Sequence, residues 1–267
     1  MRIVNFLGGL GNQMFIYALC EHLRATYPGE RIFGCYRSGS LDVHCGLEID
    51  KVFDVRLPKS TLLSDFISML YVACKRMGWT RWENERHFTR YDIVFDGYWL
   101  DSFFYKNKDV RTMFRFRNTG MTGRNGEILE MIRSSQSVAL HVRRGDYQNS
   151  ENMELFGKFC NIEYYKKAIG LMEKTVDNPV FFVFSDDIDW VKANISPENA
   201  VYVDVNSGAD SWKDMYLMSR CRHLIMANST FSYWAAMLKE DNGTVVYPHK
   251  WYYWDNPDIF PEEWTAL

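Results

Sequence analysis

Pro179-Val180-Phe181-Phe182-Val183-Phe184-Ser185 decides the fold class. It is a near-continuous apolar run, the pattern of a strand covered on both faces by helices. Working outward, Ser137-Val138-Ala139-Leu140-His141-Val142 is a second buried strand, and residues 162–174 between the two carry a helical pattern. Val201-Tyr202-Val203 and His223-Leu224-Ile225-Met226 read as further strands. Strands alternating with helices give parallel sheets with helices on both faces.

The first half repeats the rhythm less clearly. Residues 2–7 read as a strand, 8–11 as a loop and 13–26 as a helix with Phe15, Ala18, Leu19, His22 and Leu23 along one side; residues 31–35 read as the next strand. Residues 52–116 mix both signals. Asn118-Thr119-Gly120-Met121-Thr122-Gly123-Arg124-Asn125-Gly126 is the clearest linker, ahead of a helix expected at 127–133. Two α/β units are therefore expected, residues 1–120 and 121–267, with a cleft between them where ligands usually bind.

Composition narrows the function classes. Of 267 residues, 47% are hydrophobic and 24% charged, so a buried core forms readily. A net charge of -3 gives no electrostatic case for nucleic acid. The six cysteines form no C-x-x-C pair, so neither a zinc knuckle nor a redox motif is indicated. With no signal peptide at Met1 onward, the chain reads as cytoplasmic with reduced thiols. No run reaches the roughly 20 apolar residues of a membrane span. The nearest lies at 62–77, where Leu62, Phe66, Met69, Leu70, Ala73 and Met77 fall at helical spacing. The expected reading is a helix packed on the core. The sharper one is a helix at the membrane surface, with Lys75, Arg76 and Arg81 clustered at its end, which would make the protein peripheral at the inner membrane surface.

Four segments carry chemistry. Gly8-Gly9-Leu10-Gly11-Asn12-Gln13 links a strand to a helix, where free N–H groups attract anions. It is not a dinucleotide site, because Met14 stands where that fingerprint needs glycine. A tight structural turn is the plain alternative, although Asn12 and Gln13 suit ligand contact. His141-Val142-Arg143-Arg144-Gly145-Asp146-Tyr147 lies at the carboxyl end of a buried strand, the ligand side of such sheets. Arginine can fork two hydrogen bonds onto phosphate and can stabilise a departing diphosphate without a metal. An Arg–Asp brace is the plain reading for Arg144 and Asp146, and a poor one for Arg143. The Arg144-Gly145-Asp146 tripeptide would mean cell adhesion only on an exported loop.

Ser185-Asp186-Asp187-Ile188-Asp189 could accept hydrogen bonds from a base edge, hold a metal through Asp187 and Asp189, or simply cap a helix. Ala227-Asn228-Ser229-Thr230-Phe231 opens a helix with hydroxyls and free amides, a phosphate cradle in form, though the same residues cap ordinary helices. The aromatic tail, 247–254 and 260–264, is read as packing of the C-terminus across the domains rather than as a sugar platform. Of three N-x-S/T sequons, at Asn194, Asn228 and Asn242, none is expected to be glycosylated without export.

Taken together, GGLGNQMFIYA at 8–18, HVRRGDY at 141–147, FVFSDDIDW at 182–190 and DMYLMSRCRHLIMANSTFSYWAAML at 214–238 resemble glycosyltransferase family 11, the α-1,2-fucosyltransferases, in its bacterial form. One local departure is Tyr233-Trp234, where paired tryptophans are common. The resemblance implies a GT-B arrangement of two Rossmann-like domains facing a cleft, acceptor side first and donor side second. It implies GDP-β-L-fucose as co-substrate, inversion, no cofactor and no metal, and O2 of a terminal β-galactose on a glycan as acceptor. Carried over, Arg143 would hold the β-phosphate, with His141, Arg144 and Asp146 organising its loop. Ser185 with Asp186 or Asp187 would lie near the guanosine, and Asn228, Ser229, Thr230 and Phe231 on the phosphate side. Asn12 would face the donor from the other domain. Asp146, Glu21, Glu151 and Glu154 are the candidate general bases. The rival readings are a metal-dependent transferase using Asp187 and Asp189, and a sugar-binding module without catalysis.

Overall fold

The computed structural model describes residues 1–37, 39–79, 92–144, 159–252 and 256–267. The chain divides into two compact units, Met1–Arg117 and Asn118–Leu267. Both are α/β with parallel sheets, as expected.

In the first unit, β1 (Arg2–Asn5) is central, flanked in parallel by β2 (Ile32–Cys35) and β3 (Val94–Phe95). Helix α1 (Leu10–Thr26) buries Phe15, Ala18, Leu19 and Leu23 of the expected side but leaves His22 half-buried, and it buries Met14, Ile16, Tyr17 and Cys20 as well, so it is covered on more than one side; it begins at Leu10 rather than at residue 13. Helix α2 (Leu62–Arg76) starts at a Thr61–Ser64 capping box and packs Ile67 and Tyr71 against Ile3, Cys35 and Val94. Its orientation corrects the expectation. Leu62, Phe66, Met69, Leu70 and Met77 were expected on the core, and all five are exposed. The buried positions are Ser64 and Ser68.

The second unit carries a sheet of order β6-β5-β4-β7-β8-β9, all parallel. Its strands are β4 (Gln136–Val142), β5 (Pro179–Ser185), β6 (Ala200–Val203), β7 (His223–Ile225), β8 (Val245–Tyr247) and β9 (Thr265–Ala266). Helix α3 (Gly123–Arg133) leads into β4, and α4 (Ile162–Thr175), α5 (Ile188–Asn194), α6 (Trp212–Arg220) and α7 (Thr230–Met237) lie between successive strands from β4 to β8. Helix α3 begins inside the stretch expected as linker, where Gly123 adopts a positive φ.

Side chains alternate across a strand, which sorts the core. Val138, Leu140, Val142, Phe181 and Val183 form one cluster with Tyr165, Ala168, Ile169 and Met172 of α4 and Val191 of α5. The Tyr164 hydroxyl, donating to the Met226 carbonyl at 2.7 Å, pins α4 beside β7. Each fully buried Phe of β5 contributes roughly 1.5–3 kcal/mol of transfer free energy. The aromatic tail packs within this unit: Phe260 stacks on Tyr247 at 4.0 Å, and the Tyr233 hydroxyl donates to the Ile259 carbonyl at 2.8 Å. Tyr253 and Trp254 lie outside the described residues.

Candidate functional site at the carboxyl edge of the larger sheet

The strand order fixes where a ligand can sit. From β4 the chain steps to β5 and then β6 on one side, and returns to place β7 on β4's other flank. The connections leaving β4 and β7 thus diverge, which opens a crevice beyond their carboxyl ends. His141 in β4, Arg143 and Arg144 just after it, Ser185 at the end of β5, and Asn228 to Phe231 after β7 all lie at this edge.

His141 is the best-defined member. Its ring is 6.0 Å from that of Phe231, joining the β4 end to the start of α7. Burial, and then the charge of Arg143, press the imidazole down to about 3, so it is neutral at physiological pH. Nδ1 is buried and has no hydrogen-bond partner among the described residues. A buried polar atom left in this way costs stability, and such atoms concentrate where a ligand or water completes the set. Arg143 is half-buried beside it.

Arg144 is held by β5 and α5. Its backbone N–H donates to Asp186 Oδ1 at 2.8 Å, its Nε donates to Asp187 Oδ2 at 3.2 Å, and its guanidinium lies 3.7 Å from the centre of the Trp190 ring. Asp187 caps α5 by accepting from the Trp190 N–H at 3.1 Å, and the Ser185 hydroxyl accepts from the Asp187 N–H at 3.0 Å. Both Asp187 oxygens are thus engaged, while Asp189 is exposed on the helix surface. Asp187 thus braces Arg144, while the brace expected between Arg144 and Asp146 falls on a residue outside the described ones. Asp146, Glu151 and Glu154 lie outside the described residues.

On the β7 side Ser229 caps α7, its hydroxyl accepting from the Phe231 N–H at 3.3 Å. Asn228 is buried, with its N–H donating to Cys160 Sγ at 3.2 Å and Nδ2 donating to the Trp251 carbonyl at 3.3 Å. Burial pushes the Cys160 thiol up to about 12, so it remains a neutral acceptor. Thr230 and Phe231 are half-buried.

The glycine-rich loop of the first unit behaves differently from its polar sequence. Gly8 has φ +68°, and a Cβ there would meet Asn12 Nδ2 at 2.5 Å, so glycine is required. Gln13 is fully buried. Its Nε2 donates to the carbonyls of Gly8 and Gly46, both at 2.9 Å, and its Oε1 accepts from the N–H groups of Glu48 and Ile49 at 2.9 and 3.2 Å. Gln13 is scaffold, and Asn12, half-buried, is the residue of the pair left nearer the surface. Glu21 forms an ion pair with Arg24 one turn along α1.

Sequence reasoning did not single out Asp214. It lies in the first turn of α6, accepts from Asn206 Nδ2 at 2.6 Å, and is raised by burial to about 7; Asn206 in turn exchanges hydrogen bonds with Asn125 of α3. An acid in the first turn of a helix reads as a partner of the helix dipole, so nothing in the sequence marked it as perturbed.

Comparison with known proteins fits this arrangement. The profile of glycosyl transferase family 11 matches residues 47–267. An α-1,2-colitosyltransferase of Escherichia coli is 30% identical over 290 aligned residues, covering 99% of this chain and 98% of that protein. The galactoside α-(1,2)-fucosyltransferase 2 of Rattus norvegicus is 27% identical, covering 100% of this chain and 77% of that protein. Among solved structures, the NodZ α-1,6-fucosyltransferase soaked with GDP-fucose superposes with a TM-score of 0.54 at 16% identity, over 89% of this chain and 92% of that one, a likeness of GT-B-type fold. The chain belongs to glycosyl transferase family 11.

Proposed function

We propose that this glycosyltransferase moves L-fucose from GDP-β-L-fucose to O2 of a terminal β-galactose, with inversion and without a metal. The observation that carries the reading is the carboxyl edge of β4 and β7, where a strand-end arginine, a neutral histidine whose buried Nδ1 has no partner among the described residues and the first turn of α7 lie together. In a single displacement the acceptor oxygen forms a bond to the sugar's anomeric carbon as the bond to the β-phosphate oxygen breaks. The electron pair departs on GDP, and the acceptor proton passes to a base or to water. Arg143 and the α7 amides stabilise the growing phosphate charge, an effect that strengthens as the bond lengthens. Ser185, Asp186 and Asp187 border the guanosine end, Ser229, Thr230 and Phe231 the phosphate end, and Asn12 serves from the first unit. His141, Arg144 and Asn228 order these loops. The second unit takes the donor and the first the acceptor.

A cytoplasmic setting with reduced thiols is part of the same proposal; burial pushes the Cys20 and Cys221 thiols up to about 12. Among the described residues no helix is long and apolar enough to cross a membrane.

A second donor has its own support, because a colitosyltransferase aligns along the whole chain. Colitose is L-fucose without its 3-hydroxyl, so one pocket could select either sugar by a single hydrogen bond. The test is a transfer assay with GDP-fucose and GDP-colitose over a panel of β-galactosides, with linkage analysis of the product. Higher kcat/KM with GDP-fucose and an α-1,2 product are expected; preference for GDP-colitose would replace the donor assignment. Binding of GDP distinguishes either reading from a sugar-binding module. Turnover is expected to persist in EDTA, and loss restored by Mn²⁺ would move the mechanism to Asp187 and Asp189.

A further inference from the structure

Helix α2 presents its apolar side to solvent. Leu62 is 81% exposed, Met69 61% and Phe66 53%; Leu63, Leu70 and Met77 are exposed with them, and Trp79, just beyond the helix, is 75% exposed. These residues recur at intervals of three and four and form one stripe along the helix. Contiguous exposed apolar surface of this kind marks an interaction site.

The helix cannot roll over to bury it. On the inner side the Ser68 hydroxyl donates to Asn5 Oδ1 at 2.6 Å, Asn5 Nδ2 donates to Asp96 Oδ1 at 2.9 Å, and Lys75 Nζ donates to Asp96 Oδ2 at 2.9 Å. This polar chain ties the serine face of α2 to the ends of β1 and β3 and turns the leucine face outward.

We propose that α2 docks the protein onto an anionic phospholipid bilayer, lying in the interface with its stripe among the acyl chains. Two features select a lipid surface over a protein. First, charge: the exposed positions from Leu62 to Trp79 include no carboxylate, and the helix's one acid, Asp65, is paired with Arg37 at 2.9 Å. Exposed Lys59 and Arg76 stand at its two ends, and neither has an ion-pair partner among the described residues. Basic residues flanking an apolar stripe complement anionic headgroups. Second, hydrogen bonding: the middle of the stripe is Leu62, Leu63, Phe66, Met69, Leu70 and Ala73, with no hydrogen-bonding side chain. Protein interfaces carry about one hydrogen bond per 100–200 Å², whereas hydrocarbon asks for none. Trp79 at the end supplies an indole suited to the headgroup level.

The test is co-sedimentation of the full chain with vesicles of phosphatidylglycerol and phosphatidylethanolamine, beside vesicles of phosphatidylcholine alone. Wild type is expected on the anionic vesicles and to dissociate as salt rises. Combined Leu62→Gln, Phe66→Gln and Met69→Gln should lower the partition coefficient by about tenfold or more, because most of the inserted apolar area is removed. Arg76→Glu should lower it by about fivefold on anionic vesicles only. These side chains are exposed, so thermal melts of the variants should match wild type. Failure of wild type to bind vesicles, or equal binding of the triple variant, would overturn the proposal. A dimer in light scattering that the triple variant disperses, without vesicle binding, would overturn it too and assign the stripe to a second copy.

Discussion

The glycine-rich turn after β1 and the crevice beyond β4 and β7 are built from similar materials, polar residues at the carboxyl ends of parallel strands, and they differ in where those polar groups find partners. In the turn, Gln13 makes four hydrogen bonds to backbone groups of its own unit. In the crevice, His141 keeps Nδ1 without a partner among the described residues, and Arg143 stands half-buried next to it. A polar group whose hydrogen bonds close inside the fold holds the fold; one left like His141 Nδ1, buried and without a partner among the described residues, marks a place for a ligand or water to complete the set. The two regions should therefore fail differently when mutated.

The largest expected effect is at Arg143. Arg143→Ala should lower kcat by about 10²–10³, the equivalent of ~2.7–4 kcal/mol, while the thermal melt changes little. Arg143→Lys should recover only part, since it keeps the charge and loses the two-pronged geometry. Steady-state kinetics beside melting curves make the measurement. Near-normal turnover in a folded Arg143→Ala protein would put Arg143 in the same class as Gln13.

Gln13→Ala sharpens the other half. It leaves two buried carbonyls and two buried N–H groups without partners, at a cost of about 2–4 kcal/mol. The urea midpoint should fall, and turnover per folded molecule should stay near wild type. A variant of normal stability with lost activity would make the turn part of the site.

His141 links the two categories through pH. Its folded pKa, about 3, lies below the ordinary value of about 6.5. Between those values the unfolded chain binds the proton and the folded one does not. Stability is thus fully present above pH ~6.5 and declines as pH falls toward 3. His141→Leu should flatten the dependence of the melting temperature on pH in that window. Parallel wild-type and variant curves would mean that the ring is not held neutral by burial.

The sequence made the sheet of the second unit legible because a strand buried on both faces has to be apolar throughout, as Pro179 to Ser185 is. It also directed attention to strand ends, and the structure sets His141, Arg143, Ser185 and Asn228 to Phe231 at one such edge. What the sequence hid was the destination of each polar group. Gln13 beside Asn12 looked like ligand chemistry, because no local pattern reveals that Gly46, Glu48 and Ile49 will close around its amide. Likewise, the period of Leu62, Phe66 and Met69 defines a face without defining its medium. The Ser68–Asn5–Asp96–Lys75 chain and the packing of Ile67 and Tyr71 on Ile3, Cys35 and Val94, both formed with strands distant in sequence, turn that face outward.

Asp214 gives the smallest and most discriminating test. Its carboxyl sits half-buried at the start of α6, with Asn206 donating to it. Burial raises its pKa from 3.8 to about 7 against the opposing effect of that hydrogen bond. Here the sign is the reverse of that at His141. The folded protein binds the proton more tightly than the unfolded chain, so this group's contribution is present at low pH and is lost as pH rises through about 7. Asp214→Asn removes the charge and keeps an oxygen that can accept from Asn206. The variant should melt close to wild type at pH 4, where the carboxyl is protonated in the fold, and above it at pH 8, where wild type must bury an anion. Melting curves at the two pH values decide the matter. Equal melting temperatures at pH 8 would mean that Asp214 is solvated in the folded protein and belongs to neither the closed nor the open class of polar groups. A gain in stability accompanied by a loss of turnover would place it with the open ones, as a carboxylate held at a cost for contact with substrate.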